Sequence, residues 1–497
     1  MNKTIKRLVL ICVLTNGLFC QTYSSIGFTV NGIKYSQIQE TENVKVVENI
    51  KGGKYDSYNS YSGHISIPST VTHNHITYNV VEIYDGAFKN SEGLLSISLP
   101  NSITRIGSNA FAGCSSLQTA NIPNAIKTIP TSTFADCTSL VSVIIPNTIN
   151  KIESYAFYNC SSISSISLGT TITIIESYAF RDCSSLISID IPNSVTSIGQ
   201  CAFQGCSSLV SVNISNNINK LEDETFRGCS SLSSVIIPDN VTEMGRSVFR
   251  ECTSLNEVQL SNGISKIPYN TFQDCLSLPT INIPNNIKTI EAASFQGCTS
   301  LKSISIPKTV TTVQSHAFYG CTSMESAEFG YVNIGDDLGC EIQDSAFCNC
   351  SLLNTVVFHD NSGRYCIRMG TFVKCPSLKS IYSYNVDPPY INRDPWWGTF
   401  YHSFDEEHYE STNVYVPIGS LERYKGGSWG LFKHIYELGS STSLKESPTN
   451  NTEHFDIYNL QGEEVRNNVT WKEIQSLPYS IYVIKGRKVL VGTKYNN

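Results

Sequence analysis

Charge is scarce in this chain of 497 residues: 35 Lys and Arg stand against 42 Asp and Glu, 15% of the sequence, for a net charge of −7. Proteins of average composition carry about 25% charged residues, and a chain this poor in cations is excluded as a nucleic-acid binder that works by neutralising phosphates. Apolar runs of about 18 residues or more, which a bilayer-spanning helix needs, are also missing. Hydrophobic residues still make up 40% and aromatics 10%, enough to bury a core, so the chain reads as folded and without a transmembrane span. Cysteine, by contrast, is abundant at 18 residues, and its placement carries more than its number.

Lys3, Lys6 and Arg7 precede the apolar stretch Leu8 to Leu14 and then Thr15-Asn16-Gly17, the layout of a secretory signal peptide over residues 1–20. Two fates are open for it: simple cleavage near Cys20, or acylation of Cys20, against which the bulky Phe19 speaks. Residues 21–63 are expected to form an N-terminal β cap. In Phe28 to Tyr35 apolar residues alternate around Asn31-Gly32, a pair that tolerates the positive φ of a tight hairpin. At the other end residues 439–452 are polar, small and aperiodic, a linker, before a short β segment over 453–497.

Ten cysteines, from Cys114 and Cys137 through Cys298 and Cys321, each follow the last by 23 residues. A Phe stands three residues before each. Phe88 with Ser91 extends the series backward, and Phe347/Cys350 and Phe372/Cys375 extend it forward across insertions, thirteen units in all. A period of about 20–30 residues marks a solenoid. Each unit reads Leu-x-x-Ile/Val-x-Ile-Pro, as in Leu186 to Pro192: the alternation gives a short strand, and Pro, with no N–H for a ladder, closes it. Asn-x-Ile/Val-x-x-Ile turns the chain inward again, and in Ala/Thr-Phe-x-x-Cys the Phe and Cys share one face of a helical turn. Coils stacked at about 4.8 Å build a β-rich solenoid over residues 64–383. Its parallel sheet is expected on the concave face, short helical turns on the convex side, a C-terminal cap over 384–438, and columns of Leu, Ile and Phe inside.

The units resemble the leucine-rich repeats of the BspA-like family of bacterial surface proteins. The signature Phe-x-x-Cys-Ser/Thr-Ser-Leu-x-x-Ile-x-Ile-Pro-Asn is carried here by Phe203, Cys206, Ser207, Ser208 and Leu209, followed by Val212 and Ile214. The resemblance spans residues 64–438, and Val414 to Pro417, Leu421 to Lys425 and Trp429 are similar to the way such arrays end. It implies a leucine-rich-repeat solenoid that is secreted or on the outer cell surface and serves adhesion to host matrix proteins or coaggregation. Asn124, Asn147 and Asn193 come two rather than three positions after the strand Ile, so the buried Asn ladder of commoner leucine-rich repeats is not expected. Residues 331–346 and 359–371 enlarge the late units, and Trp396-Trp397 fills a loop before the last strand. Ile457 to Val465, Leu477 to Ile484 and Lys488 to Val491 resemble the second half of a type IX secretion sorting domain, whose usual first half is absent.

Gly426-Gly427-Ser428-Trp429-Gly430 satisfies Gly-x-Ser-x-Gly, but that motif needs a turn leaving a core strand, and Leu421 to Lys425 reads as helix. A glycine turn in the cap is expected. His73 with His75, and His402 with His408 beside Asp405, Glu406 and Glu407, lack the HExxH spacing that aims two imidazoles at one ion, so they are read as solvated loop residues. No catalytic residue, metal or cofactor is expected. Cys340, Cys348 and Cys366 stand near Cys350 outside the regular series; a Cys340–Cys366 disulfide and free thiols are both open. Cys201, two residues ahead of Phe203, is expected to point outward.

Two surfaces are candidates for a ligand. Strand residues facing away from the core line the concave sheet: Ser188, Asp190, Ser211, Asn213, Glu257, Gln259, Thr280 and Asn282, with Thr119, Asn121, Ser165, Ser167, Ser303 and Ser305. They are small, polar and nearly uncharged, a regular row of hydrogen-bonding groups with little electrostatic steering; an inert, soluble face is the competing reading. Tyr390, Trp396, Trp397 and Tyr401 gather with Tyr382, Tyr384, Phe400 and Phe404 beside Pro388-Pro389. This aromatic patch either binds sugar or peptide or covers the apolar end of the last coil. The function expected is a non-catalytic recognition or adhesion scaffold, monomeric, for a protein or glycan ligand. The alternative is a structural or self-associating surface protein with no foreign ligand.

Overall fold

The computed structural model describes residues 27–39, 41–51, 58–59, 61–330, 340–359, 365–391 and 402–438, with strands His454–Tyr458, Glu464–Thr470, Ser480–Ile484 and Arg487–Val491. The stretches expected to be a signal peptide and a linker, residues 1–20 and 439–452, lie outside the described residues, as do Trp396, Trp397, Phe400 and Tyr401.

Asn31 and Gly32 stand at φ 49° and 79°, as a two-residue hairpin loop requires, and join strands Gly27–Val30 and Ile33–Gln37 with Val30 facing Ile33. Ile33–Gln37 pairs with Asn43–Val46, which runs parallel to Ile76–Ile83, which in turn runs parallel to Arg105–Ile106. The N-terminal cap is thus β, and its sheet passes directly into the coils.

Most regular coils place two short parallel segments in two ladders. In the first, Ser188–Asp190 lies against Ser211–Asn213 and Ser234–Ile236 against Glu257–Gln259; in the second, Lys151–Ile152 lies against Ile174–Ile175. In the first ladder the 163–168 coil keeps only the Ser165–Ser188 bridge, and Thr280 and Asn282, expected on a strand, lie in an extended stretch that forms none. Where the units are enlarged, Thr312 still pairs with Glu341 and Glu341 with Cys366, so the insertions leave the ladder in register. Pro ends the first strand and opens the turn into the second: the amide of Ile149 donates to Pro146 O at 3.1 Å. The Asn after that Pro is exposed at positions 147 and 193 and bonds along the turn column, Asn216 N–H to Asn193 Oδ1 at 3.1 Å. It builds no buried ladder.

On the third side Cys137 N–H donates to Phe134 O at 3.1 Å and Leu140 N–H to Cys137 O at 3.0 Å. These turns do not run together into a helix, because two positions in each coil stand at positive φ. One is the second before Phe (Tyr155 59°, Cys201 54°, Ala293 55°), the other the one before Cys (Asp136 60°, Gly205 73°, Glu251 62°). Left-handed residues turn the intervening N–H groups toward the next coil, so Phe134 N–H reaches Ala156 O and Asp136 N–H reaches Tyr158 O, both at 2.8 Å.

Inside, one phenylalanine per coil stacks on the next. From Phe88 to Phe318 the ring centroids are 5.1–5.7 Å apart and the planes within 19° of each other. Phe347, Phe372 and Phe404 continue the column. Phe404, grouped with the surface aromatics on sequence grounds, is therefore a core ring, buried because its unit follows the same Phe register despite its different length.

Beside the rings runs the cysteine column. Every ladder thiol is fully buried, and its Sγ–H donates to the carbonyl oxygen of the Phe one coil back: Cys114 to Phe88 at 3.1 Å, Cys206 to Phe180 and Cys321 to Phe295 at 3.2 Å. Cys350 and Cys375 reach Phe318 and Phe347 in the same way. The described cysteines are all free thiols. Cys340 and Cys366 do not pair, because Cys366 lies opposite Glu341 and turns outward with it, while Cys340 faces the core at 1% exposed. Cys201 does not reach solvent, contrary to expectation. It sits off the core but is buried, with the Tyr178 hydroxyl as hydrogen-bond partner and Glu224, Arg181 and Arg227 around it.

Helix Glu406–Ser411, strand Asn413–Val416, helix Leu421–Lys425, the 3-10 turn Trp429–Leu431 and strand His434–Glu437 close the far end. Trp429 Nε1–H donates to Pro389 O at 2.6 Å and the Tyr424 hydroxyl to Asn385 O at 2.8 Å, while Trp429 and Phe432 pack against Phe404. Beyond it, the C-terminal strands form a four-stranded antiparallel sheet in the order Glu464–Thr470, His454–Tyr458, Ser480–Ile484, Arg487–Val491. Among the described residues no helix is long and apolar enough to cross a membrane.

Candidate recognition face

Alternation along each first-ladder strand sends one set of side chains into the core and the other out. Ser188, Asp190, Ser211, Asn213, Glu257, Gln259, Thr280 and Asn282 are all on the outward side and exposed. Asn213 Nδ2–H donates to Asp190 Oδ1 at 3.0 Å across the strand pair, fixing both side chains. Ser142, Ser165, Ser188, Ser211 and Ser234 put one hydroxyl per coil along the same face. Between Thr119 and Asn282 only Asp190 and Glu257 bring charge to these outward positions.

The face is not wholly polar, however. Ile144 is 79% exposed, Ile236 63%, Ile187 54%, Val141 51% and Val210 44%, all on or beside first-ladder strands. Sequence reasoning passed over them, although a signal was there: in Ser-Val-Ile-Ile-Pro at 142–146 the middle Ile occupies the position that is polar in neighbouring units. Scattered exposed aliphatics are ordinary; these five are spread over four of the five coils from Leu140 to Ile236, with Ile144 and Ile236 on outward strand positions and Val141, Ile187 and Val210 just ahead of their strands.

Farther along, the same outward row runs Ser305, Glu328, Val357, Tyr382, Tyr415 and Tyr436 in register. Here the face closes. Val357, Tyr384 and Leu438 form a small buried cluster with Tyr382 and Tyr415 packed on it, and Tyr382 stacks on Tyr415 at 4.7 Å with planes 12° apart. Burial pushes the hydroxyl pKa of both tyrosines up. Tyr390, 55% exposed, is instead on the second ladder, paired with Cys366, so it does not share this row.

The remaining candidates are held by structural duties. Ser428 follows helix Leu421–Lys425 and opens the 3-10 turn, so it is not on the strand-to-helix turn that a nucleophile elbow needs. His408, read as a solvated loop residue, is 3% exposed: Nδ1 accepts Asp405 N–H at 3.1 Å and Nε2–H faces Cys375 O at 2.9 Å, because it caps the short helix against the last coil. His73 stacks on Phe28 at 4.4 Å. Among the described residues no three His, Cys, Asp or Glu gather as metal ligands.

Two parallel strand ladders wound from 23-residue coils around stacked columns of Phe and Cys define the class: a leucine-rich-repeat solenoid. The chain belongs to the BspA type leucine rich repeat family, whose pattern, in six copies, matches residues 57–187, 173–298, 221–338 and 265–387. A leucine-rich repeat protein from Bacteroides ovatus is similar in fold, at 22% identity and a TM-score of 0.54 over 83% of this chain and 99% of that one. A leucine rich cell surface protein from Faecalibacterium prausnitzii is 27% identical over 62% of this chain and 95% of that one, with a TM-score of 0.41. The pneumococcal vaccine antigen PcpA is 18% identical over 83% and 99%, with a TM-score of 0.48. No curated protein matches the chain.

Proposed function

We propose that this chain is a secreted or surface-displayed recognition protein that binds a protein or glycan ligand on the outward face of the first ladder and performs no catalysis. The observation that carries the reading is the set of exposed aliphatics Val141, Ile144, Ile187, Val210 and Ile236, interspersed with a regular row of hydroxyl and amide groups along the first ladder. Such a mixture suits a contact surface in which apolar side chains supply energy and polar neighbours fix orientation. The N-terminal stretch acts as the export signal in this reading, with cleavage near Cys20, and the C-terminal sheet as a sorting segment. The aromatic group Tyr390, Trp396, Trp397 and Tyr401 is the second place for a ligand.

An array of extracellular-matrix proteins and glycans tests this. Binding that is lost in an Ile144→Lys/Ile236→Lys double variant and kept in Tyr390→Ala supports the first-ladder face, while the reverse moves the site to the aromatic group. The same exposed aliphatics would suit contact between copies in a structural surface protein. Light scattering that finds a stable oligomer, broken by the double variant, would favour that reading instead.

A further inference from the structure

The cysteine column places a chemical condition on folding. Each ladder Sγ–H fastens its coil to the carbonyl of the Phe one coil back, from Cys114 on Phe88 to Cys375 on Phe347, and none of these sulfurs reaches solvent. A sulfur carrying anything larger than hydrogen loses its donor and has no room among stacked Phe rings in a close-packed interior. In the unfolded chain the same thiols are hydrated, far apart and open to exchange with a disulfide.

We propose that the cysteine column makes closure of this solenoid conditional on free thiols: a chain whose ladder cysteines carry mixed disulfides cannot stack its coils, whereas a chain closed with free thiols is shielded from the same reagent. The step is thiol–disulfide exchange with a small disulfide such as glutathione disulfide. The cysteine thiolate attacks one sulfur, the S–S bond of the reagent breaks, a protein–glutathione S–S bond forms, and the released glutathione thiolate takes up the proton the cysteine gave. Shielding follows the array. Stacked coils open first at their ends, so Cys114 and Cys375 exchange before Cys229 in the middle.

The full chain is treated with glutathione disulfide twice, folded and in guanidinium chloride. The folded protein should keep its ladder thiols unmodified by peptide mass mapping and keep its melting curve; the unfolded chain should take up glutathione along the ladder. After removal of denaturant the modified chain should fail to regain a cooperative melt, and dithiothreitol should restore it to the yield of a reduced chain refolded in parallel. On long exposure of the folded protein, Cys114 and Cys375 should be modified at least about tenfold faster than Cys229. Cys201→Ser, off the column, should leave these results unchanged. The proposal is overturned if the glutathione-bearing chain regains the native melt, or if Cys229 reacts in the folded protein as fast as in the unfolded one; equal rates at the ends and the middle overturn the end-first order.

Discussion

The thiol of Cys206 donates to the carbonyl oxygen of Phe180 at 3.2 Å, one coil back, and that oxygen already holds the N–H of Cys183 at 3.2 Å. One acceptor thus closes a turn and fastens two coils. Cysteine suits the place because it packs as a small apolar group while keeping a weak donor; an Asn there would bring extra polar atoms needing partners in a dry column. Cys206→Ala removes the donor and leaves a small void, and should cost about 1–3 kcal/mol in chemical denaturation. Cys206→Ser keeps a donor for Phe180 O but puts a more polar hydroxyl on a shorter bond into a dry column, and should also cost about 1–3 kcal/mol. An unchanged denaturation midpoint in both variants would falsify the fastening role.

Burial pushes the ladder thiols up, from an ordinary value of 9.0 to about 12 at Cys114, Cys183, Cys229 and Cys375. The neutral thiol is therefore favoured by the folded state. That contribution is complete below the unfolded pKa and is lost as pH rises through the folded one, because the unfolded chain alone sheds protons in that window. The thiol contribution should be constant below pH 9 and be lost between pH 9 and about 12, a window in which Tyr35 and Tyr61, also pushed up by burial to about 12, act in the same direction. Several thiols ionise together, so the slope should exceed the roughly 1.4 kcal/mol per pH unit of a single group. Urea denaturation across that range measures it; a flat profile would mean the thiols titrate alike in both states.

The fold was legible because one period fixes three things at once: strand alternation, the Pro-Asn turn, and the Phe and Cys that share an inward face. What the pattern could not carry was reach between coils. Phe and Cys at i and i+3 mark a face, but nothing in their spacing says that the thiol bonds backward to the previous carbonyl. Ile144 was hidden by its neighbours, since Val143 and Ile145 point inward at 5% and 7% exposed and the run of three reads as core. Cys201 was misjudged for a similar reason: parity sends it off the core, but the Tyr178 and Glu224 side chains of the same turn column in the adjacent coils cover it. The row that ends in Tyr382, Tyr415 and Tyr436 crosses units of unequal length, so counting along the sequence does not align it.

Positive φ at the two turn positions predicts opposite outcomes for similar-looking changes. A Cβ on Gly205, at φ 73°, would meet Asp182 Oδ1 at 2.2 Å, so Gly205→Ala should cost about 1–3 kcal/mol through left-handed strain and contact. Ala293 already bears that strain at φ 55°, and Ala293→Gly should gain about 0.5–1 kcal/mol although glycine usually destabilises. Thermal melts of the two variants should move in opposite directions. Parallel shifts would show that the turn backbone relaxes freely.

Binding on the first-ladder face should respond weakly to salt, because Asp190 and Glu257 are the only charges on its outward positions between Thr119 and Asn282 and screening acts only where charge is present. Asn213→Lys and Asn282→Lys should weaken binding without lowering the melting temperature, both side chains being exposed. A steep salt dependence of the affinity, or indifference to both changes, would place the ligand on another surface.

The far end of the array depends on Trp429. It is 2% exposed, its indole N–H holds Pro389 O at 2.6 Å, and its ring lies 6.2 Å from Phe404, the last ring of the phenylalanine column. Trp429→Ala removes a large apolar surface and leaves Pro389 O without that donor, for a loss of about 3–5 kcal/mol. Deleting residues 384–438 goes further: it strips Phe404 as well as its cover and presents Phe372 and Cys375 to water. A coil contacts only its neighbours, so an uncovered end has no other means of hiding its apolar columns. The deletion should aggregate or fail to express in soluble form, read by size-exclusion chromatography with light scattering. If the shortened chain stays monomeric with an unchanged melt, the segment is no cap, and its aromatic residues are then free to serve a ligand.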